Sequence, residues 1–217
     1  AQRIQGVVAK LSVAAAGVEI KVEPNLVLRG CVGDPVIREL SPVAQSRFRA
    51  SARITTLADA DLYGGKLCAA LDRQHPRDLF DVRLLLRGEG ITPAIRRAFV
   101  VYLASHTRPM HELLKPNLVD IAETFERQFA GMTREPVSLD QLVTARRELV
   151  ELLVTSFDDA ERIFLLTMKA GDPDWDILGI QDLERMPALQ WKLLNIHKMD
   201  SRKREEQLRC LRNILDA

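Results

Sequence analysis

The sequence has little of what marks several common classes of protein. Its 217 residues include only three cysteines, Cys31, Cys68 and Cys210. Their odd number and wide spacing fit neither a disulfide scaffold nor a structural zinc site, so we expect a reducing, cytoplasmic compartment. No apolar run approaches the roughly 18 residues that a membrane helix needs, so we expect no membrane partner.

Glycine, proline and aromatic residues are also scarce, and neither sign of charge dominates. The chain has 11 glycines, 10 prolines and 5% aromatic residues, whereas 47% of its residues are hydrophobic and 28% are charged. This balance excludes long disorder. The net charge of +1 indicates neither a nucleic-acid nor a membrane partner. The apolar spacing is mostly helical, which predicts an α+β protein, predominantly helical, with a small sheet followed by a helical bundle.

Hydrophobic periodicity separates a short strand-bearing region from a longer helical one. Apolar residues at three- and four-residue steps over residues 4–16 predict a first helix that ends at Gly17. Strict alternation from Val18 to Glu23 predicts a strand, and residues 31–50 have the character of a connecting segment with or without a short strand. Further helices are predicted over residues 59–73, 77–88, 93–105, 117–130, 138–156, 158–170, 187–197 and 201–215.

We therefore expect two lobes, residues 1–58 with the strand and residues 59–217 with the helices. Charge is uneven within the second lobe. Seven arginines stand against three acids between Arg73 and Arg108, and seven Lys or Arg residues stand against four acids from Lys192 onward. Two mildly basic patches favour a phosphate-bearing ligand, although a solvated, mixed-charge helix surface explains the second patch equally well.

The predicted strand collects charged side chains on one of its faces. Side chains two residues apart point the same way, so Glu19, Lys21 and Glu23 share a face. Carboxylates on one strand face are how many phosphoryl-transfer enzymes hold a metal ion. A sheet with one solvated face gives the same alternation, so the pattern leaves both interpretations open.

Two adjacent glycines lie inside the predicted helix 59–73. Glycine within a helix costs roughly 1 kcal/mol relative to alanine, so Gly64 and Gly65 indicate that a ligand or another part of the chain approaches the backbone closely. Lys66 follows directly and offers a point charge suited to a phosphate. Tight helix packing with a solvent-facing Lys66 is the alternative.

The next helix begins with a polar segment that suits either capping or chemistry. Pro76 near the helix start and Asp78 in its first turn are favourable capping residues. Asp81 lies three residues after Asp78 and four after Arg77, so all three share one face. They form either a base or metal ligand held by arginines, or a helix cap with an ion pair between Arg77 and Asp81.

These motifs, together with others along nearly the whole chain, resemble one protein family. The sequence resembles the AbiEii/AbiGii nucleotidyltransferase toxins, members of the DNA polymerase β-like superfamily and relatives of the MenT toxins. The block from Lys66 to Asp81 is the specific part of the resemblance. The matching segments are residues 20–23, 61–67, 72–81, 106–109, 129–133, 171–175 and 187–195.

The resemblance implies roles for individual residues. The family's lysine, taken to contact nucleotide phosphates, falls on Lys66. The late aspartate of the family's Arg-Asp-x-x-Asp pattern falls on Asp78 or Asp81, and we favour Asp81 because it lies one turn inside the helix. The candidate residues for binding nucleotide phosphates are Gly64, Gly65, Lys66, Arg73 and Arg77.

The resemblance also implies a cofactor, a substrate and partners. Glu23 occupies the place of the superfamily's third strand carboxylate and is the candidate metal ligand, with Glu19 a weaker choice. The implied cofactor is Mg²⁺, the substrate is a nucleoside triphosphate (NTP), and the acceptor is an RNA such as a tRNA 3′ end. Family members in toxin–antitoxin pairs have a cognate antitoxin, and some act in phage defence.

The sequence departs from the family pattern at its beginning. The family's Gly-Gly/Ser motif and Asp-x-Asp strand belong upstream of Ala1 and do not appear here, and Asp59-Ala60-Asp61 lies at a predicted helix start instead of a strand. Because the sequence also begins without Met, we expect an N-terminally truncated member whose sheet is a remnant. We expect it to fold, to lack transfer activity, and to be a homodimer or a self-associating monomer because of an exposed sheet edge and apolar patch.

Two other classes of function stay open from the sequence. The helical lobe is also suited to a non-catalytic module that binds nucleotide, RNA or an antitoxin. A nuclease is a third possibility, because Glu19-Ile20-Lys21 fits the acid-x-Lys strand pattern of restriction-type nucleases. We find no upstream acid to complete that pattern.

Overall fold

The computed structural model describes residues 2–4, 7–24 and 29–216. Backbone packing divides the chain into two compact units, Ala1–Gly30 and Cys31–Ala217; the lobes predicted above stay a prediction. The strands are β1 (Gln2–Ile4), β2 (Val7–Ala15), β3 (Val18–Val22), β4 (Val36–Glu39) and β5 (Arg53–Thr56). The helices are α1 (Pro42–Phe48), α2 (Asp59–Arg73), α3 (Pro76–Arg87), α4 (Pro93–Ser105), α5 (Met110–Leu114), α6 (Ala122–Gln128), α7 (Leu139–Ser156), α8 (Asp159–Ala170), α9 (Pro187–His197) and α10 (Ser201–Leu215).

The first unit is an antiparallel sheet in the order β1-β2-β3. The strand predicted from Val18 is confirmed as β3, but the helix predicted over residues 4–16 is wrong, because β2 occupies that stretch. Ala16 and Gly17 have φ angles of 50° and 77°. Two consecutive positive φ angles match the turn type that joins twisted antiparallel strands. Pairing of β2 with β3 thus overrides the helical spacing of its apolar residues.

The second unit begins with a small two-stranded sheet of β4 and β5. Between them α1 starts at Pro42, and the Ser41 side chain accepts a hydrogen bond from the backbone N–H of Ala44. The sequence analysis predicted a connecting segment with or without a short strand over residues 31–50, and it assigned no helix to α1 and no strand to β5. Elements of four to seven residues are too short to show a clear hydrophobic period.

The helices form the main core, with α4 at its centre. Ala98, Phe99, Val100 and Val101 are all 0% exposed, and four consecutive buried residues require contacts on every side of a helix. The helix packs against α2, α5, α8 and α9. The predominantly helical α+β class is confirmed.

Most helix boundaries follow from local capping signals. Both α7 and α8 begin with a capping box, formed by Ser138 with Gln141 and by Asp158 with Glu161. In each, two side chains satisfy backbone N–H groups that a helix start leaves free. The predicted helices over residues 138–156 and 158–170 are confirmed for this reason.

The helix predicted over residues 117–130 begins later than expected, at Ala122. The buried Gln74 side chain donates to the carbonyl of Asn117 at 2.8 Å and accepts from the N–H of Val119 at 3.1 Å. The Arg146 guanidinium donates to the carbonyl of Val119 at 2.7 Å. These side chains hold the backbone in a non-helical path.

Among the described residues, no helix is both long and apolar enough to cross a membrane.

Candidate functional site

An ion pair joins α2 and α3 at the surface of the helical unit. The Lys66 ammonium donates a hydrogen bond to the Asp81 carboxylate. Their side chains are 33% and 35% exposed, so solvent reaches both charges while they are paired. The two residues that the sequence analysis ranked highest therefore lie together, although they are 15 positions apart.

The two glycines beside this pair have different surroundings. A Cβ atom at Gly64 would lie 2.8 Å from the backbone N of Phe99 and 3.0 Å from atoms of Ala98, both on α4. A Cβ atom at Gly65 would have nothing within 4 Å. Gly64 therefore permits close helix packing, whereas Gly65 leaves open backbone next to Lys66. A ligand-binding role for either glycine stays a prediction.

Asp78 and the neighbouring arginines form separate contacts. Arg73 donates to the Asp78 carboxylate at 2.8 Å, and the Asp78 side chain is only 15% exposed. Arg77 donates to the backbone carbonyl of Gln128 at 3.3 Å. The alternative of an ion pair between Arg77 and Asp81 is wrong, because Lys66 from the neighbouring helix is the partner of Asp81.

The start of α3 is fixed by His75 and Pro76. The His75 Nδ1 atom accepts a hydrogen bond from the N–H of Arg77 at 3.2 Å, and its Nε2 lies 3.2 Å from the Gln128 side-chain oxygen. Pro76 takes the first helical position, where its fixed φ favours the helix and no N–H is needed. This start sets the direction in which α3 presents Asp81.

Sequence reasoning missed a buried carboxylate on the other side of α2. Asp61 is 1% exposed and accepts hydrogen bonds from the N–H of Val32 at 2.7 Å, the N–H of Gly33 at 2.8 Å and the Tyr102 hydroxyl at 2.5 Å. Burial and this carboxylate raise the pKa of Tyr102. Asp59 pairs with Arg38 at 2.6 Å. Both acids of Asp59-Ala60-Asp61 thus hold structure, as expected of residues at a helix start.

The candidate metal ligand is paired with a lysine, and the described residues contain no cluster of three metal-binding side chains. Glu23, the candidate metal ligand, belongs to the first unit and forms an ion pair with Lys10 at 3.1 Å. Nowhere in residues 2–4, 7–24 or 29–216 do three His, Cys, Asp or Glu side chains gather closely enough to hold a metal ion. Binding of Mg²⁺, expected from the family resemblance, therefore stays a prediction.

A lysine and an aspartate presented from successive helices, next to open glycine backbone, define a class of site suited to phosphate groups. Residues 3–193 match the family described as nucleotidyl transferase AbiEii toxin, Type IV TA system. The match covers most of the chain, so the protein belongs to this toxin–antitoxin family, and the resemblance drawn from its motifs is confirmed. Membership implies a cognate antitoxin and an NTP substrate. Searches of curated proteins and of solved structures gave no match.

Proposed function

We propose that this protein is the toxin of such a pair and transfers a nucleoside monophosphate from an NTP to an RNA acceptor such as a tRNA 3′ end. The observation that carries the proposal is the accessible ion pair of Lys66 and Asp81. A half-exposed ammonium is able to exchange its carboxylate partner for a phosphate oxygen. An ammonium placed where charge develops on a transferring phosphate commonly stabilises the transition state by several kcal/mol.

In the proposed reaction, an acceptor hydroxyl releases its proton to solvent and its oxygen forms a bond to the α-phosphorus, while the bond from that phosphorus to the bridging oxygen breaks. Pyrophosphate leaves with the electron pair of the broken bond. Lys66 binds the phosphate oxygens, and Asp81 positions the lysine ammonium through their ion pair. We assign no step to Mg²⁺, because its binding to this chain stays a prediction.

Substitution of the charged residues tests this assignment in the protein as encoded by its gene. Lys66→Ala is expected to lower transfer of label from α-³²P-NTP to tRNA by roughly 10²- to 10³-fold, and Asp81→Asn to behave similarly. Asp78→Asn is expected to cost mainly about 1 kcal/mol of stability, because Asp78 lies in the first turn of α3.

Lys198→Ala serves as the matched control, since Lys198 is an exposed lysine of the same unit. Its transfer rate should equal that of the wild type. Unchanged turnover in Lys66→Ala would remove Lys66 from the site. A large loss in Asp78→Asn with normal turnover in Asp81→Asn would exchange the roles of the two aspartates.

For the 217-residue chain by itself we propose nucleotide binding without measurable transfer. The support is the pairing of Glu23, the single strand carboxylate assigned to metal, with Lys10. The measurement is retention of labelled NTP on the protein, compared with incorporation of label into tRNA. Robust Mg²⁺-dependent incorporation by this chain would contradict the proposal.

The same assay separates the other two functions. A non-catalytic binding module would retain NTP or RNA in the gene's full product with no incorporation at all. A nuclease using Glu19 and Lys21 would shorten the RNA or DNA, and both side chains lie exposed on β3. The absence of a nearby acid cluster among the described residues favours the binding module over the nuclease.

We also propose that the first unit supports a homodimer. Val18, Ile20 and Val22 are 62%, 61% and 48% exposed, and uncovered apolar strand surface favours association. Light scattering coupled to gel filtration should give twice the monomer mass. Ile20→Lys should restore the monomer, and an unchanged mass would place any association elsewhere.

A further inference from the structure

A polar cleft of about 380 Å³ lies between α5 and α10. It is outside the Lys66 and Asp81 site, and no step of the proposed transfer uses it. The side chains that line it and carry hydrogen-bond donors are Arg108, His111, Lys115, Asn117 and Asn213. Glu112 is the acidic residue of the lining. The volume suits a nucleotide-sized ligand, since small-molecule sites commonly measure roughly 300–1,000 Å³.

Several of these donors have no partner within the described part of the chain. The side chains of His111, Lys115 and Asn213 make no hydrogen bond or ion pair to another described residue. Lys115 and Asn213 are exposed, and His111 is half-buried. A concave surface lined with unpaired donors favours a ligand rich in acceptor oxygens.

Arg108 is held in place at the edge of the cleft. Its guanidinium donates to the Asp72 carboxylate at 3.0 Å and lies 3.4 Å from the Glu112 carboxylate. The Lys192 ammonium donates to the backbone carbonyls of residues 106, 107 and 108. Because the backbone and the side chain of Arg108 are both fixed, binding a ligand there costs little ordering entropy.

The charge around the cleft is positive. Arg108 and Lys115 line it, and the buried Lys169 acts on His111 from α8. Burial and Lys169 lower the pKa of His111, while Glu112 and Glu206 oppose that shift. Lys169 is itself near Lys203 and Arg204 of α10. An anion placed here would meet the Lys115 ammonium, which has no acid partner among the described residues.

We propose that this cleft binds a phosphate group, supplied either by a free nucleotide or by the backbone of a single-stranded RNA. A guanidinium, an ammonium and amide donors around one concavity are the groups that recognise phosphate oxygens. The cleft also has a defined relation to the first site along α2. Asp72, which holds Arg108, follows Lys66 by six residues, or about 9 Å along the helix axis.

Affinity measurements with a matched pair of lysine variants test the proposal. The probes are inorganic phosphate, AMP and a short fluorescein-labelled single-stranded RNA. Lys115→Gln should weaken RNA binding by about tenfold and reduce the slope of log affinity against log salt by about 1. Lys198→Gln removes the same charge at a position that precedes α10. The start of α10 lies about 18 Å along the helix axis from Asn213, so Lys198 is distant from the cleft. The affinity of this variant should stay within about twofold of the wild type.

Alkylation of Cys210 locates the bound ligand. Cys210 lines the cleft, whereas Cys31 is exposed elsewhere and Cys68 is buried. Mass spectrometry after limited iodoacetamide treatment should show that the ligand slows alkylation of Cys210 and leaves Cys31 unaffected. Lys115→Gln should lose this protection at the same ligand concentration.

The three probes distinguish the source of the phosphate. Protection by RNA alone would support a backbone site, and equal protection by AMP or inorganic phosphate would support a free-nucleotide site. Lys66→Ala should retain protection of Cys210, so failure of the transfer proposal leaves this one standing. Two results would overturn the cleft proposal. One is an alkylation rate of Cys210 that no probe changes, and the other is an RNA affinity of Lys115→Gln equal to that of the wild type.

Discussion

The two sides of α2 carry similar residues for different purposes. The side that faces α4 presents Asp61 and Gly64, whose contacts are all within the protein. The opposite side presents Lys66, whose ammonium pairs with a half-exposed carboxylate. An acid and a glycine on one side thus contribute to the core, whereas a lysine on the other stays available to a ligand.

The largest expected effect comes from the buried acid. Asp61→Ala should lower the free energy of unfolding by about 4 kcal/mol, because two backbone N–H groups and a hydroxyl lose their acceptor inside the protein. Urea unfolding followed by circular dichroism measures the loss. Asp59→Ala, which removes only a surface ion pair, should cost less than about 1 kcal/mol. Equal losses in the two variants would mean that Asp61 is not the anchor described here.

The adjacent glycines should respond in opposite directions to the same substitution. Gly64→Ala should destabilise by about 2 kcal/mol, since its Cβ meets the backbone of α4 and the helices must separate. Gly65→Ala should stabilise by up to about 1 kcal/mol, because alanine is the better helix former and space is free. Thermal unfolding of the two proteins side by side checks the sign. Destabilisation of both would show that the open side is also packed.

Tyr102 gives the α4 side a distinct dependence on pH. Its pKa is raised by burial and by Asp61, so the folded protein keeps the phenol proton at a pH where the unfolded chain releases it. The stability from Tyr102 is therefore complete below its ordinary pKa of about 10 and declines above it. Tyr102→Phe should cost about 1.5 kcal/mol at pH 8, and the difference from wild type should shrink by pH 11. A constant difference across that range would contradict the assignment.

The smallest effect on stability should come from the functional side. Lys66→Ala should change the free energy of unfolding by less than about 1 kcal/mol, because a half-exposed ion pair contributes little. The same urea titration measures it on the variant used for transfer. A loss comparable with that of Asp61→Ala would make the pair structural and would weaken its proposed role.

Sequence reasoning succeeded where the determinants are local. The helices α7 and α8 were predictable because their capping residues and their apolar periodicity lie within one segment. The strand β2 was not, because pairing with β3 and the turn at Ala16 decide it. Spacing within α3 suggested a pair of Arg77 with Asp81 for the same reason, because it contains no information on Lys66 in the neighbouring helix.

The candidate site shows the same limit. Lys66 and Asp81 were identified separately from residue type and family pattern, and only the packing of α2 on α3 brings them together. The role of Asp61 depends on N–H groups 28 and 29 positions earlier and a hydroxyl 41 positions later. Periodicity within a helix contains no information on such distant partners.

The carbonyl contacts of Lys192 have a consequence for the order of assembly during synthesis. Lys192 lies 84 to 86 residues after the carbonyls that it binds, so residues 106–108 leave the ribosome well before their anchor is made. Domains fold as their chains emerge, and α2 and α4 are able to pair while this turn is still unsecured. The position of Arg108 is therefore completed late in translation, and a nascent chain stalled before α9 would carry Lys66 and Asp81 without a fixed neighbouring cleft.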